Sequence, residues 1–178
     1  MQKFSFSPQP LASVAEPSLR AATPADRAQL VGFLAGLSPT SSYQRFLTGL
    51  SGTPSDRVIG ALLPQRPAGG AWLAFLDGAL VGHGLWARLP DASAAEIAIV
   101  VSDEHQRRGI GTALVRAVTE ELIAEGVADI EVFSTTGNRA VARMVARAAP
   151  DARRQLDGST MTWSFPALGR SPALPRSA

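Results

Sequence analysis

Residues 96–111 read EIAIVVSDEHQRRGIG. Ile97, Ile99, Val100 and Val101 make a run that suits a strand buried at the centre of a sheet. A polar turn follows and leads into Gly109-Ile110-Gly111. From there apolar residues recur at helical spacing (Ile110, Leu114, Ala117, Val118, Leu122), and Gly126 stands where the helix should stop. Glycines at a helix start let a ligand approach the backbone, and the N–H groups of the first turn have no helical acceptor. Arg107 and Arg108 add positive charge at the same corner. A strand, a polar turn and such a helix start make a cradle for a phosphate or pyrophosphate.

Working outward, Ile130–Phe133 reads as the next strand. Asn138 then caps a helix whose Ala140, Val141, Met144, Val145 and Ala148 are expected to face inward, with Pro150 as its stop. Met161–Phe165 reads as the closing strand. Upstream, Ala71–Leu76 and Ala79–Ala87 flank Asp77-Gly78, the strongest two-residue hairpin signal. A first strand is expected at Leu19–Ala22 and a helix capped by Thr23, with Pro24 in its first turn. Further helices are expected from Ser38-Pro39 to Leu47 and from Pro54 to Leu63. The order is a β-hairpin, then βαβα, then β: an α/β (α+β) sheet with a crossover helix, not a bundle or a sandwich. Residues 1–17 and 167–178 lack periodicity and are expected to be flexible tails around a folded domain at 18–166.

At 178 residues with 46% hydrophobic content the chain suits one domain with an ample core. With no Cys, disulfide scaffolds, thiol catalysis and cysteine metal sites are excluded. The two His, His83 and His105, are far apart, so no metal site is expected. A net charge of +2, from 17 basic and 15 acidic residues, is too small to imply a nucleic-acid binder. The N-terminus has no apolar stretch of signal-peptide length, and no run is long enough to span a bilayer. A cytoplasmic location with no membrane partner is the expectation.

Three kinds of cradle compete for Gln106–Gly111. A P-loop requires Gly-x-x-x-x-Gly-Lys-Ser/Thr, and no Lys follows Lys3. A dinucleotide fingerprint requires a third Gly where Leu114 stands, and no acidic residue ends the next strand at the ribose position. The third kind is Gln-x-x-Gly-x-Gly, matched by Gln106-Arg107-Arg108-Gly109-Ile110-Gly111. Alone, these six residues also describe an ordinary Gly-rich helix start with solvated arginines.

With its preceding strand and following helix, the segment resembles the acetyl-CoA signature of the GCN5-related N-acetyltransferases (GNAT). Asn138-Arg139-Ala140, opening a helix after the strand Ile130–Phe133, resembles the family's second block, in which an Asn contacts the cofactor arm. Leu19–Asp26 resembles its opening strand and helix. Ser38-Pro39, Tyr43-Gln44-Arg45-Phe46 and Ala95–Val101 resemble the branch of bacterial protein-lysine acetyltransferases. The resemblance covers about residues 18–165. It implies a mixed, mostly antiparallel sheet with a V-shaped splay, flanked by helices. It also implies acetyl-CoA as cosubstrate, held by Gln106, Arg107, Arg108, Gly109, Ile110, Gly111, Thr112 and Asn138 and by the backbone of Ile99, Val100 and Val101. Direct transfer to an amine acceptor, a protein lysine or a small molecule, follows; a non-catalytic acyl-CoA sensor is the alternative from another class.

A lysine amine is almost wholly protonated at neutral pH, so transfer needs a base. Glu96, in an otherwise apolar strand, is the candidate, and burial there should raise its pKa. The plainer reading is a solvated carboxylate, or one paired with an Arg such as Arg88. On the acceptor side Tyr43 and Arg45 are candidate contacts, although Tyr43 beside Phe46 also suits the core. Arg57 is a further candidate there, in segments 38–50, 52–70 and 153–160. The chain departs from many relatives in having no Tyr at 139–149 and Pro150-Asp151 in place of Gly-Phe. Ser134 and Thr135 suit either cofactor contact or turn chemistry. His83 suits a structural role, His105 a solvent-facing one, and the stripe Arg139, Arg143, Arg147 a solvated face.

Overall fold

The computed structural model describes residues 16–48, 54–90 and 93–167. The expected tails lie almost wholly outside these residues. Strand β1 (Ser18–Ala21) leads through a 3-10 turn at Pro24–Asp26 into α1 (Arg27–Ala35), α2 (Pro39–Phe46) and α3 (Asp56–Leu62). Next come β2 (Gly69–Leu76), β3 (Ala79–Arg88), β4 (Ala94–Val101), α4 (Ile110–Ala124), β5 (Asp129–Thr135), α5 (Arg139–Ala148), β6 (Arg153–Asp157) and β7 (Thr160–Pro166).

The expected local signals act where they stand. Thr23 and Asp26 form a reciprocal capping box, and Asp26 also pairs with Arg20 at 2.6 Å. Ser38 and Ser55 cap α2 and α3 by accepting the N–H groups of Ser41 and Val58. Asp77 (φ 50°) and Gly78 (φ 79°) turn the chain between β2 and β3 in the left-handed region that a two-residue hairpin demands.

The strands form one seven-stranded sheet in the order β1-β2-β3-β4-β5-β7-β6. Every neighbouring pair is antiparallel except β4 and β5. Helices α1 and α3 cover one face, packing Leu30, Phe33, Leu34, Ile59 and Leu62 against Leu85 and Val100. Helix α4 covers the other, setting Val118 and Leu122 on Trp86, Ile97 and Ile130 and Leu114 on Ala74 and Val81. Gly84 makes room for it: a Cβ there would stand 3.2 Å from Val118 and 2.6 Å from Ile99.

The parallel pair decides the site. Strands β4 and β5 pair only over Ala94–Glu96 and Asp129–Glu131. Beyond Glu96, β4 stays with β3 as far as Val101, while β5 stays with β7 as far as Thr135. The sheet therefore splays into a V whose apex is the Glu96/Glu131 pair.

Two expectations are corrected. Residues 153–160, assigned no element by the sequence and named only as part of the acceptor side, begin with an edge strand, β6, whose five residues RRQLD are all exposed and carry no apolar alternation to signal a strand. On α5, only Val145 of the expected inward face is buried, while Ala140 and Ala148 are exposed. That face borders the open limb of the V instead of the core. The arginine stripe on α5 is exposed, as expected of a solvated face.

Candidate active site

The V encloses a cleft of about 520 Å³ walled by β4, β5, α2, the start of α4 and the apolar face of α5. Among its lining residues are Ile99, Val101, Gln106, Arg107, Gly111, Asn138 and Arg45, brought together from three separate regions of sequence.

Strand parity fixes which backbone groups the cleft receives. Ser102 donates its N–H to Val81 O, and Ala94 O accepts from Leu89, both on the β3 side. Alternation then turns the backbone groups of Ile97, Ile99 and Val101 toward β5, where pairing has ended. Val100 is different: its backbone faces β3 and its side chain is core, so the expected backbone contact falls to Ile99 and Val101.

The turn after β4 is held by its own polar atoms. Gln106 Nε2 donates to Val101 O at 3.2 Å and to Ser41 Oγ at 3.0 Å, tying the cradle to α2. Asp103, which the sequence reading passed over, accepts from Ser38 N (3.0 Å), Ser38 Oγ (2.7 Å) and Ser41 Oγ (2.7 Å). Those bonds hold its carboxyl below the usual range. Arg107 (φ 61°) and Gly109 (φ 85°) both adopt left-handed backbone, a strain that a non-glycine residue carries where a site requires it. The first helical bond of α4 is Ala113 N–H to Gly109 O, so the N–H groups of Ile110, Gly111 and Thr112 lie ahead of the ladder. Ile110 is 2% exposed, and only its backbone serves the cradle. Arg108, Gly109 and Thr112 are exposed. A Cβ on Gly111 would sit 3.7 Å from Met144 and 3.8 Å from Val101, so anything larger enters the cleft.

Asn138 is buried and accepts Val141 N–H on Oδ1 at 3.2 Å, capping α5 while bordering the cleft. Ser134, near the end of β5, lines the cleft and donates its Oγ to Thr135 O at 3.0 Å. His105 is half-buried, not solvent-facing, with Nδ1 2.9 Å from Ser102 Oγ.

Glu96 is half-buried at the apex, just beyond the residues that line the cleft. Desolvation raises its pKa, the Arg45 charge opposes this, and Glu131 on the paired strand adds to it. Glu131 was also missed, since only the parallel register sets it beside Glu96. Arg88 is held by Pro67 O and Glu125 O. Arg45 lines the cleft; Tyr43 is 50% exposed and joins neither the core nor the cleft lining, and Arg57 is exposed on α3, also outside the lining.

An anion cradle leads into a strand edge with open amides and then an apolar helix face. That sequence of surfaces fits a pyrophosphate followed by an extended amide-bearing arm. Residues 29–149 match the acetyltransferase (GNAT) family. The chain belongs to the GNAT family. Its activity is accordingly acetyl-CoA-dependent N-acetyl transfer. No curated protein matches the sequence. Among solved structures, the GNAT domain of S. lividans PAT is similar at TM-score 0.75 and 18% identity, covering 89% of this chain and 99% of that one. The ribosomal-protein-S18-alanine N-acetyltransferase from Escherichia coli is similar at TM-score 0.63 and 13% identity, covering 89% and 99%. The PaiA N-acetyltransferase from Thermoplasma acidophilum, in complex with coenzyme A, is similar at TM-score 0.62 and 14% identity, covering 85% and 99%. At these identities the likeness is one of fold, and the GNAT chain's acceptor is a separate question.

Proposed function

We propose that this GNAT protein acetylates lysine side chains of protein substrates, with Glu96 as the base. The observation that carries the acceptor reading is the wall at the α2 end of the cleft, where the lining residues Gln44 on α2 and Phe133 on β5 are exposed. A groove walled by exposed side chains admits a polypeptide, whereas a small amine is usually enclosed. Asp56 is the only acid between Ser38 and Gly70, and it is paired with Arg27 at 3.0 Å, so that segment offers no acidic cluster to hold a polyamine.

In this reading acetyl-CoA supplies the thioester carbon that the amine attacks. The N–H groups of Ile110, Gly111 and Thr112, with Arg107 and Arg108, take the pyrophosphate. The backbone of Ile99 and Val101 pairs with the extended arm, and the Val101 N–H is the donor for the thioester carbonyl. Glu96, set just behind the cleft wall, removes the amine proton through a water. Burial and Glu131 raise its pKa toward the range in which a carboxylate is an effective base.

Labelled acetyl-CoA incubated with a lysate, and separately with small amines, tests the acceptor. Lysine labelling above the non-enzymatic background is expected, and rapid turnover of one small amine without it overturns the protein acceptor. Glu96→Gln should lower kcat about 10²–10⁴-fold with little change in acetyl-CoA affinity. The base must be ionised, so wild-type activity should fall as pH drops through the raised Glu96 pKa, and the variant should lose that limb. Full activity of Glu96→Gln across the pH range would make Glu96 a structural carboxylate.

A further inference from the structure

Arg45 is a charged group in the cleft that the transfer chemistry leaves unused. It sits in the last turn of α2, with its guanidinium 5.0 Å from the centroid of the Phe46 ring. Its Nε is buried and has no hydrogen-bond partner. Among the described residues no carboxylate lies within ion-pair distance of it. Burial lowers its pKa to about 10, so it remains cationic at neutral pH. A buried donor without an acceptor is costly, and a guanidinium presents a planar fork matched to a carboxylate.

The other charges nearby complete the pattern. Ala98, next along the Glu96 face of β4, lines the cleft with Arg45, and Glu96 is the charge that acts on Arg45. Glu131 stands beside Glu96 in register. This region therefore offers two carboxylates at the apex of the V and, on α2, one guanidinium whose buried Nε has no acceptor. That arrangement complements an acceptor carrying an ammonium and a carboxylate a few atoms apart.

We propose that Arg45 is a specificity-determining residue that binds a carboxylate on the acceptor, so that the preferred lysines are those flanked by Asp or Glu. This deepens the lysine reading above and rests on placing the acceptor at the Glu96 end of the cleft.

The test measures kcat/KM on matched lysine peptides differing only by Glu or Gln beside the lysine, and on a free amino acid against its carboxamide. Wild type should favour the Glu peptide about tenfold or more, the range expected for a hydrogen bond between charged groups. Arg45→Met should bring the ratio near one, chiefly through KM, and Arg45→Lys should keep part of it. The ratio is internal to each variant, so a general loss of activity does not disturb it. Because the wild-type ratio is itself decisive, a variant that fails to fold leaves the inference falsifiable. A wild-type ratio near one, or a ratio that survives Arg45→Met, overturns the role of Arg45 while lysine acetylation stands. If no peptide is acetylated although acetyl-CoA still raises Tm, the lysine reading falls. The amino-acid pair then decides: preference for the carboxylate form upholds the role of Arg45, and indifference or inactivity ends it.

Discussion

His83 shows how much one buried residue can fix. Fully buried on β3, it stands with Nε2 2.8 Å from Leu62 O and Nδ1 without a partner. A carbonyl only accepts, so Nε2 carries a proton. Burial, reinforced by the nearby Arg45 charge, lowers its pKa to about 4. The unfolded chain takes up that proton near pH 6.5. The stability His83 contributes is therefore complete above about pH 6.5 and is lost as pH falls toward about 4. Urea unfolding at stepped pH should show the decline in wild type and a flatter curve in His83→Gln, by about 1–3 kcal/mol at the acid end. Equal slopes would mean that the ring is not the sensor. Glu96 acts in the opposite sense: with its pKa raised, the folded state favours the neutral carboxyl, and its contribution is lost as pH rises. Glu96→Gln should therefore be slightly more stable than wild type at neutral pH, a stability cost the wild type carries at its candidate base.

At the scale of elements, the join between α2 and the cradle turn matters most. Asp103 gathers two hydroxyls and one N–H from the start of α2, and Gln106 adds a bond from the other side. Helix α2 carries Arg45, and the turn leads into the Gly-rich start of α4, so the latch sets these two walls of the cleft against each other. Asp103→Ala should cost about 1 kcal/mol, comparable to losing a helix cap, and lower Tm by a few degrees. Hydrogen exchange across residues 39–46 should quicken more than in α4, and KM should rise for both substrates. A change in Tm with unaltered KM values would reduce Asp103 to a structural tether.

Across the whole molecule, the cleft stands where a missing piece of core would be. The apolar face of α5 looks into the cleft and buries only Val145 on its own. Acetyl-CoA at 100 times its Kd should stabilise the fold by about 2.7 kcal/mol. Hydrogen exchange should slow most along residues 139–148 and at the start of α4. NADH should do neither, and Gly111→Leu, which fills the space before Met144 and Val101, should abolish the response while leaving the apo Tm nearly unchanged. Protection spread evenly over the molecule would argue against α5 as the element completed by the ligand.

What the sequence determined by itself was local and periodic. The hairpin at Asp77-Gly78, the helix starts at Ser38 and Asn138, the buried strand before Gln106 and the Gly109-Ile110-Gly111 helix start depend on short-range sterics and hydrogen bonding, which a few neighbouring residues specify. Strand β6 stayed hidden because five exposed residues on a sheet edge need no alternation. The outward turn of α5 was equally hidden, because an apolar stripe has the same spacing whether it covers a core or a cofactor. The tertiary structure alone decided the register that sets Glu131 beside Glu96, the bonds that bring Asp103 and Gln106 to α2, and the placing of an unpaired Arg45 in the cleft. Each joins residues distant in sequence, and the pairing of such residues is set by how the sheet halves and helices pack, which no local pattern encodes.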